Sequence, residues 1–161
     1  IKLNRVGKNG EVFKFYKTRT MYPYSEFIQD YMYKTYGIQK GGKFNHDIRV
    51  STVGSIMRKC WLDELPMFIN FFKGDMKFVG VRPISNQYFN LYCDELQELR
   101  VKFKPGLFPP FYADMPETLE EIQASEMKYL KACEKNGTFV TDVKYMWMIM
   151  YNIIFKRARS K

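Results

Sequence analysis

Residues 58–83 read RKCWLDELPMFINFFKGDMKFVGVRP, and this stretch carries the pattern that decides the fold. Four apolar residues in it recur at positions i, i+3, i+4 and i+7: Leu65, Phe68, Ile69 and Phe72. That spacing predicts a short amphipathic helix with one apolar face. Pro66 suits the first turn of the helix, and Gly74 suits the position just past its end.

An adjacent acid pair, Asp63 and Glu64, stands where this helix is predicted to begin. A helix N-terminus stabilises a carboxylate by about 0.3–1 kcal/mol, and it also attracts phosphate. Arg58 precedes the pair, and Arg82 lies beyond the next loop. Carboxylates, cations and a helix N-terminus are together the groups that a protein needs to bind a phosphate group and react with it. Simple helix capping by Asp63 is the commoner explanation of the pair by itself, so the pair alone decides nothing.

Further segments, in order along the chain, make it resemble the bacterial sugar transferase family, the monotopic phosphoglycosyl transferases. The quoted stretch supplies LDELP, FINFFKGDMKFVG and VRP. The other matching segments are EVFKFYKTRTM (11–21), DIRVSTVGSIMRK (47–59), FKPG (103–106) and TDVKYMWMIMYNIIF (141–155). Each segment alone is a weak signal, whereas their common order and spacing form a strong one.

Two places depart from the family pattern. Residues 107–111 (LFPPF) stand where the family has an Ile-Thr-Gly-Trp-like sequence, and Cys60-Trp61 replaces a pair of small polar residues. Residues 113–136 match no family segment that we can assign. The acceptor side and the sugar preference are therefore the least specified parts of the function.

The resemblance implies that the protein transfers a sugar 1-phosphate from a UDP-sugar to a polyprenyl (undecaprenyl) phosphate and releases UMP. This reaction initiates capsule, exopolysaccharide or O-antigen assembly. The resemblance further implies that Asp63 forms a covalent phosphosugar intermediate and that Glu64 binds Mg²⁺. A carboxylate is a competent nucleophile at phosphorus, and covalent catalysis divides one hard displacement into two easier ones. The same match assigns substrate-phosphate contacts to four cations: Arg58, Arg82, Lys17 and Arg19.

The predicted fold is α+β, a helix-rich single domain over residues 1–161 with a small N-terminal β-hairpin and membrane-interface helices. Asn9-Gly10 indicates the hairpin turn. Helices are predicted over residues 25–36, 85–101, 117–135 and about 141–157. The last is apolar on nearly its whole circumference, which fits core packing and contact with a bilayer equally well. The family also carries a membrane-embedded helix upstream of where this chain begins.

The composition of the 161 residues narrows the partners. A net charge of +9 and a pI near 9.4 predict attraction to nucleic acid, to an anionic bilayer or to phosphorylated substrates. The three cysteines form neither a metal-binding pair nor a disulfide framework, which favours a reducing compartment. The resemblance places the protein at the cytoplasmic face of the bacterial inner membrane. The oligomeric state stays open: an absent membrane helix would leave an apolar patch that invites association into a homo-oligomer.

Two other interpretations stay open. A basic nucleic-acid-binding module could use the charge and the aromatic residues of positions 11–24, although no nucleic-acid motif is present and no nucleic-acid partner is expected. An inactive family member could act as a membrane scaffold, although the intact acid pair argues against it. His46, the single histidine, is expected to be a surface or hydrogen-bonding residue rather than a base, and a zinc site is improbable.

Overall fold

The chain opens with an antiparallel β-hairpin in the computed structural model, which describes residues 1–36 and 47–156. Strand β1 (Lys2–Val6) pairs with β2 (Val12–Tyr16). In the turn, Asn9 has φ 58° and Gly10 has φ 76°, a left-handed backbone that these two residue types adopt readily. The hairpin turn predicted at Asn9-Gly10 is confirmed.

Helices make up most of the other elements, so the predicted α+β class is confirmed. The α-helices of the described residues are, in chain order, α1 (Gln29–Tyr36), α2 (Thr52–Lys59), α3 (Met67–Phe72), α4 (Asn86–Phe89), α5 (Asp94–Lys102), α6 (Phe111–Asp114), α7 (Leu119–Asn136) and α8 (Thr138–Phe155).

Two predicted helix boundaries are wrong. The helix expected over residues 85–101 is broken into α4 and α5, because Cys93 takes an extended backbone and begins α5 as its N-cap. Thr141 was expected to cap the last helix, but it lies inside α8. Its Oγ1 donates to the carbonyl oxygens of Ala132 at 3.1 Å and Gly137 at 2.9 Å. The break between α7 and α8 falls instead at Gly137, whose φ is 84°.

A second sheet, which the sequence did not predict, consists of two short parallel strands. Strand β3 (Lys77–Val79) pairs with β4 (Gly106–Phe108). A Cβ atom on Gly106 would lie 2.0 Å from the Gly80 nitrogen, so only glycine at position 106 permits this close approach of the two backbone segments. Arg82 follows β3, and the divergent residues 109–111 follow β4. Because the two strands are parallel neighbours, Arg82 and residues 109–111 lie close together at the same end of the sheet.

The buried apolar residues form two clusters on either side of β4. The larger cluster joins α5, α7 and α8 to β3, and its fully buried members include Leu96, Tyr129, Leu130 and Ile149. The smaller cluster lies beneath the hairpin and consists of Phe15, Met67, Met76 and Leu107. Phe108 packs against both clusters, so the hairpin is attached to the helical core through β4.

Helix α3 buries a different face from the apolar one that the sequence predicted. The four apolar residues of the predicted face are exposed: Leu65 54%, Phe68 40%, Ile69 48% and Phe72 82%. The opposite face points inward, where Asn70 is completely buried. Its Oδ1 accepts from the Tyr16 nitrogen at 3.0 Å, and its Nδ2 donates to the Lys14 carbonyl at 2.7 Å. The hydrogen-bonded Asn70 and the buried Met67, and not the predicted apolar face, therefore attach α3 to β2.

Helix α8 divides its apolar residues between core and surface. Tyr145, Ile149 and Asn152 are buried. Another face is exposed and consists of Phe139, Val140, Val143, Trp147, Tyr151 and Ile154; we call it the α8 apolar face. Within residues 1–36 and 47–156, no helix combines the length and hydrophobicity needed to cross a bilayer.

Candidate active site

The acid pair lies in a 3₁₀ turn, Leu62–Glu64, which contacts the chain directly after β2. The Thr18 nitrogen donates to the Asp63 carbonyl oxygen at 3.0 Å. Lys17 Nζ lies 2.9 Å from Asp63 Oδ2 and 3.6 Å from Glu64 Oε1. The Asp63 side chain is only 4% exposed and that of Glu64 is 24% exposed. One lysine therefore contacts both carboxylates, the buried one more closely.

The expectation that the acid pair occupies the N-terminus of the next helix is wrong. Helix α3 begins at Met67 with Pro66 as its N-cap, and the acids lie earlier, in their own turn. Trp61, which precedes the two acids, has a left-handed backbone with φ 59° and separates their turn from the end of α2. Within the described part of the chain, the positive charge closest to the carboxylates is thus the Lys17 ammonium, and it takes the place of the helix dipole as the group that stabilises them.

A pocket opens between the hairpin, the acid turn and the segments after β3 and β4. Its charged lining consists of Arg5, Lys17, Glu64 and Arg82. Leu107, Pro109, Phe111 and Tyr112 form part of its apolar wall. Asp63 contacts this lining through Lys17. The pocket therefore combines three cations with an adjacent pair of carboxylates, which suits a ligand carrying phosphate groups.

The predicted phosphate-binding residues do not all meet here. Lys17 and Arg82 line the pocket, whereas Arg58 and Arg19 are not among its lining residues. Arg58 donates from Nε to Thr20 Oγ1 at 2.9 Å, and Arg19 is exposed. A hydrogen bond from Arg49 lowers the pKa of Asp47, burial opposes the shift, and the charge of Arg58 adds to the lowering. Substrate contacts by Arg58 and Arg19 stay predictions.

Arg5 is the pocket residue that the sequence analysis missed. It lies on β1 opposite Phe13, and Leu3 lies opposite Phe15. Because side chains alternate along a strand, Leu3 and Arg5 share one face, and both line the pocket. Strand alternation was the signal that could have found Arg5, since Phe13 and Phe15 already marked the packed face of the hairpin.

The backbone at Arg82 is fixed from the helical core. Arg100 Nη2 donates to the Arg82 carbonyl oxygen at 2.5 Å, and Arg100 Nη1 donates to Glu126 Oε2. Arg100 and Glu126 are 5% and 1% exposed, respectively. A buried ion pair between α5 and α7 therefore determines where the VRP segment leaves β3.

The two departures from the family pattern contact each other. The Trp61 ring centroid lies 5.5 Å from that of Tyr112 and 6.4 Å from that of Phe108. Tyr112 in turn accepts a hydrogen bond at its carbonyl oxygen from Asn152 Nδ2 at 3.0 Å. Trp61 thus packs against Phe108, one of the altered residues, and against Tyr112, a pocket-lining residue that is hydrogen-bonded to α8.

The donor set for a metal is small. The described residues contain no group of three or more His, Cys, Asp and Glu side chains that could hold an ion. Glu64 is partly exposed and lines the pocket. Mg²⁺ commonly binds through one or two carboxylates, substrate phosphates and waters, so this arrangement fits Mg²⁺ that arrives with a diphosphate. His46 lies outside the described residues, and its expected role stays a prediction.

Comparison with known proteins gives the family to which the chain belongs. The bacterial sugar transferase family matches residues 1–156. The chain therefore belongs to the bacterial sugar transferase family, a family of enzymes, as the sequence motifs predicted.

Three relatives show the spread of that family. The chain is 40% identical over 105 residues to galactosyl transferase CpsE of Streptococcus agalactiae, covering 65% of this chain and 23% of that protein. It is 37% identical over 108 residues to undecaprenyl-phosphate galactose phosphotransferase of Salmonella typhimurium, covering 64% and 22%. It is 36% identical over 108 residues to exopolysaccharide production protein ExoY of Sinorhizobium fredii, covering 64% and 47%. The chain thus matches less than half the length of these relatives.

Proposed function

We propose that the protein transfers a sugar 1-phosphate from a UDP-sugar to undecaprenyl phosphate and releases UMP. The observation that carries the proposal is the contact of Lys17 with both Asp63 and Glu64 beside a pocket lined by Arg5 and Arg82. The name of the Salmonella relative, undecaprenyl-phosphate galactose phosphotransferase, supports the acceptor class. The transfer would start the assembly of a bacterial capsule, exopolysaccharide or O-antigen.

The reaction proceeds in two displacements. In the first, an Asp63 carboxylate oxygen forms a bond to the β-phosphorus of the UDP-sugar. The bond from that phosphorus to the bridging oxygen breaks, and UMP leaves with the electron pair. In the second, an oxygen of the lipid phosphate attacks the phosphorus and the Asp63 carboxylate is regenerated. Lys17 holds the Asp63 carboxylate in place before the donor binds, since the two atoms lie 2.9 Å apart.

Charge on the phosphates is neutralised by the side chains of the pocket. Arg82 offers a planar fork of donors to phosphate oxygens, and its main chain is fixed by Arg100. Glu64 would hold Mg²⁺, and the ion would neutralise charge on the diphosphate when bound. Preorganised cations of this kind stabilise charge that develops in the transition state.

Glu64→Gln is expected to raise the Mg²⁺ concentration for half-maximal rate by at least about 10-fold. The amide keeps the shape of the side chain but is a much weaker ligand for a hard cation. The measurement is a Mg²⁺ titration of UMP release. Glu95→Gln is the matched control, because Glu95 is an exposed acid paired with Lys131 at 2.8 Å on the outer helices. An unchanged Mg²⁺ response of Glu64→Gln would remove Glu64 as the metal ligand.

We further propose that the α8 apolar face lies against an anionic membrane, at the cytoplasmic face of the inner membrane. Phe139 and Trp147 on this face are 80% and 75% exposed, an amount of apolar surface that a bilayer interface would cover. Lys144 on this helix and Lys156, which follows its last residue, are exposed and suit anionic headgroups. Asn152 ties α8 to the pocket wall at Tyr112, so membrane contact would bring the pocket close to a lipid acceptor.

The test is UMP release from a panel of UDP-sugars with Mg²⁺ and undecaprenyl phosphate in vesicles. The panel contains UDP-glucose, UDP-galactose, UDP-N-acetylglucosamine and UDP-N-acetylgalactosamine. We expect release from at least one donor, and a blue shift of Trp147 emission with anionic but not with zwitterionic vesicles. Stable self-association with no vesicle binding would assign the α8 apolar face to a second copy of the chain.

Absence of UMP release from every donor would overturn the proposal. Vesicle binding without turnover would then favour the inactive scaffold. Salt-sensitive binding of a labelled oligonucleotide, with no response to UDP-sugars, would favour the nucleic-acid-binding module.

A further inference from the structure

Arg5 is a half-buried cation that the proposed mechanism has so far given no task. It lies on β1 and lines the same pocket as Lys17, Glu64 and Arg82. Its guanidinium carbon lies 5.9 Å from the centroid of the Phe15 ring, and Phe15 belongs to the smaller core cluster. A guanidinium held against a buried ring keeps its orientation at low entropic cost. Arg5 is therefore positioned, whereas most surface arginines are free to move.

The hydrogen-bonding capacity of Arg5 is mostly unused within the protein. Nη1 donates to the carbonyl oxygen of Asn4 at 3.0 Å. Within residues 1–36 and 47–156, no carboxylate lies within ion-pair distance of Arg5; Glu64, the acid of the pocket lining, pairs with Lys17 instead. A guanidinium has five N–H donors in a fixed fork. Several of these donors remain for a ligand in the pocket.

The neighbour of Arg5 in the pocket carries the same charge. Burial lowers the pKa of Arg5, and the charge of Arg82 lowers it further. Among the described residues neither arginine forms an ion pair, so the two cations of this pocket repel each other, and an anion bound between them would remove that repulsion. Lys17 is already paired with Asp63 and Glu64. The charge of an anion bound between Arg5 and Arg82 would therefore be neutralised by the two arginines and not by Lys17.

We propose that Arg5 is a phosphate-binding residue and that it acts with Arg82 on one phosphate group in the pocket. The inference deepens the proposed function and rests on it, since a transferase of this kind handles the diphosphate of a nucleotide sugar and the phosphate of a lipid. The ligand chemistry is a phosphate oxyanion in either case. Arg5 binds and positions this group, and it forms no bond to the reacting phosphorus.

The test measures binding without turnover. Inorganic pyrophosphate and farnesyl phosphate are titrated by calorimetry into the wild type and into Arg5→Gln, Arg5→Lys and Lys8→Gln. Lys8 is the matched control, because it is an exposed cation in the turn of the same hairpin. We expect Arg5→Gln to weaken binding by at least about 10-fold, and Arg5→Lys to recover only part of it, since an ammonium lacks the planar fork. Lys8→Gln should change binding by less than about twofold, as distant exposed charges are screened.

The two probes distinguish the source of the phosphate. Loss of pyrophosphate binding alone assigns Arg5 to the nucleotide-sugar donor, and loss of farnesyl phosphate binding alone assigns it to the lipid acceptor. Equal affinities of Arg5→Gln and Lys8→Gln for both probes would overturn the inference. If the wild type binds neither pyrophosphate nor farnesyl phosphate, the inference is overturned as well. Thermal unfolding of each variant verifies that the hairpin is intact.

Failure of this inference and failure of the proposed function give different results. If Arg5→Gln releases UMP with an unchanged KM for the donor and binds both probes normally, the role of Arg5 falls and the transferase function stands. If the wild type releases no UMP but binds pyrophosphate through Arg5, the transferase function falls and the phosphate site stands.

Discussion

Asp63→Asn is expected to lower UMP release by at least about 10³-fold, the size of loss seen when an enzyme loses its nucleophile. Asparagine keeps the shape of aspartate, but its amide cannot displace UMP at phosphorus. The fold should survive the change, because Glu64 still lies 3.6 Å from Lys17 Nζ and keeps that cation from becoming unpaired. The loss would therefore be chemical rather than structural.

The measurement is intact-protein mass spectrometry after incubation with Mg²⁺ and the donor panel in the absence of lipid acceptor. We expect the wild type to gain the mass of one sugar phosphate and Asp63→Asn to gain none. Asp94→Asn serves as the control, since Asp94 is an exposed acid in the first turn of α5. An adduct on Asp63→Asn, or near-normal turnover by a folded variant, would remove Asp63 from the mechanism.

Glu126→Gln is expected to destabilise the protein by about 3–5 kcal/mol, the usual cost of breaking a buried ion pair from one side. Glu126 is 1% exposed, and the variant would leave the Arg100 guanidinium buried without a counter-charge. Burial raises the pKa of Glu126, while Arg100 opposes that shift. Glu134→Gln is the matched control, because its pair with Lys102 is exposed; such pairs contribute at most about 1 kcal/mol.

The measurement is the free energy of unfolding from urea titration, followed by turnover of the variants that stay folded. A double variant, Arg100→Met with Glu126→Leu, should regain most of the lost stability, since apolar residues often replace a buried ion pair without penalty. It should still turn over slowly, because the Arg82 carbonyl loses its donor at 2.5 Å. A stable double variant with full activity would show that the ion pair has no positioning role.

The sequence was informative where the pattern was local. Asn9-Gly10 indicated the hairpin turn, because its two positions need a backbone that few residue types adopt. Of the site residues that the family motifs indicated, Lys17, Glu64 and Arg82 line one pocket, whereas Arg58 and Arg19 do not. Such features depend on near neighbours or on the order of segments, and both can be read from a single chain.

Features that depend on distant contacts could not be read in this way. The apolar stripe of α3 indicated an amphipathic helix, but not which face would be buried; the burial of Asn70 depends on Tyr16 and Lys14, more than fifty positions earlier. The contact of Trp61 with Phe108 joins two departures that looked unrelated. Arg5 stood among other N-terminal cations, and only the strand pairing shows which of them faces the pocket.

The charged groups around the pocket nearly cancel one another. The pocket is lined by Arg5, Lys17, Arg82 and Glu64, with Asp63 bound to Lys17, which leaves one net positive charge against +9 for the whole chain. Long-range attraction to anions therefore arises mainly from groups outside the pocket. A bare polyanion would find little excess charge inside it, whereas a diphosphate with its divalent cation would enter almost neutral. The residues that attract anions from a distance therefore differ from those that bind the substrate in the pocket. Added salt should weaken the long-range attraction far more than the binding inside the pocket.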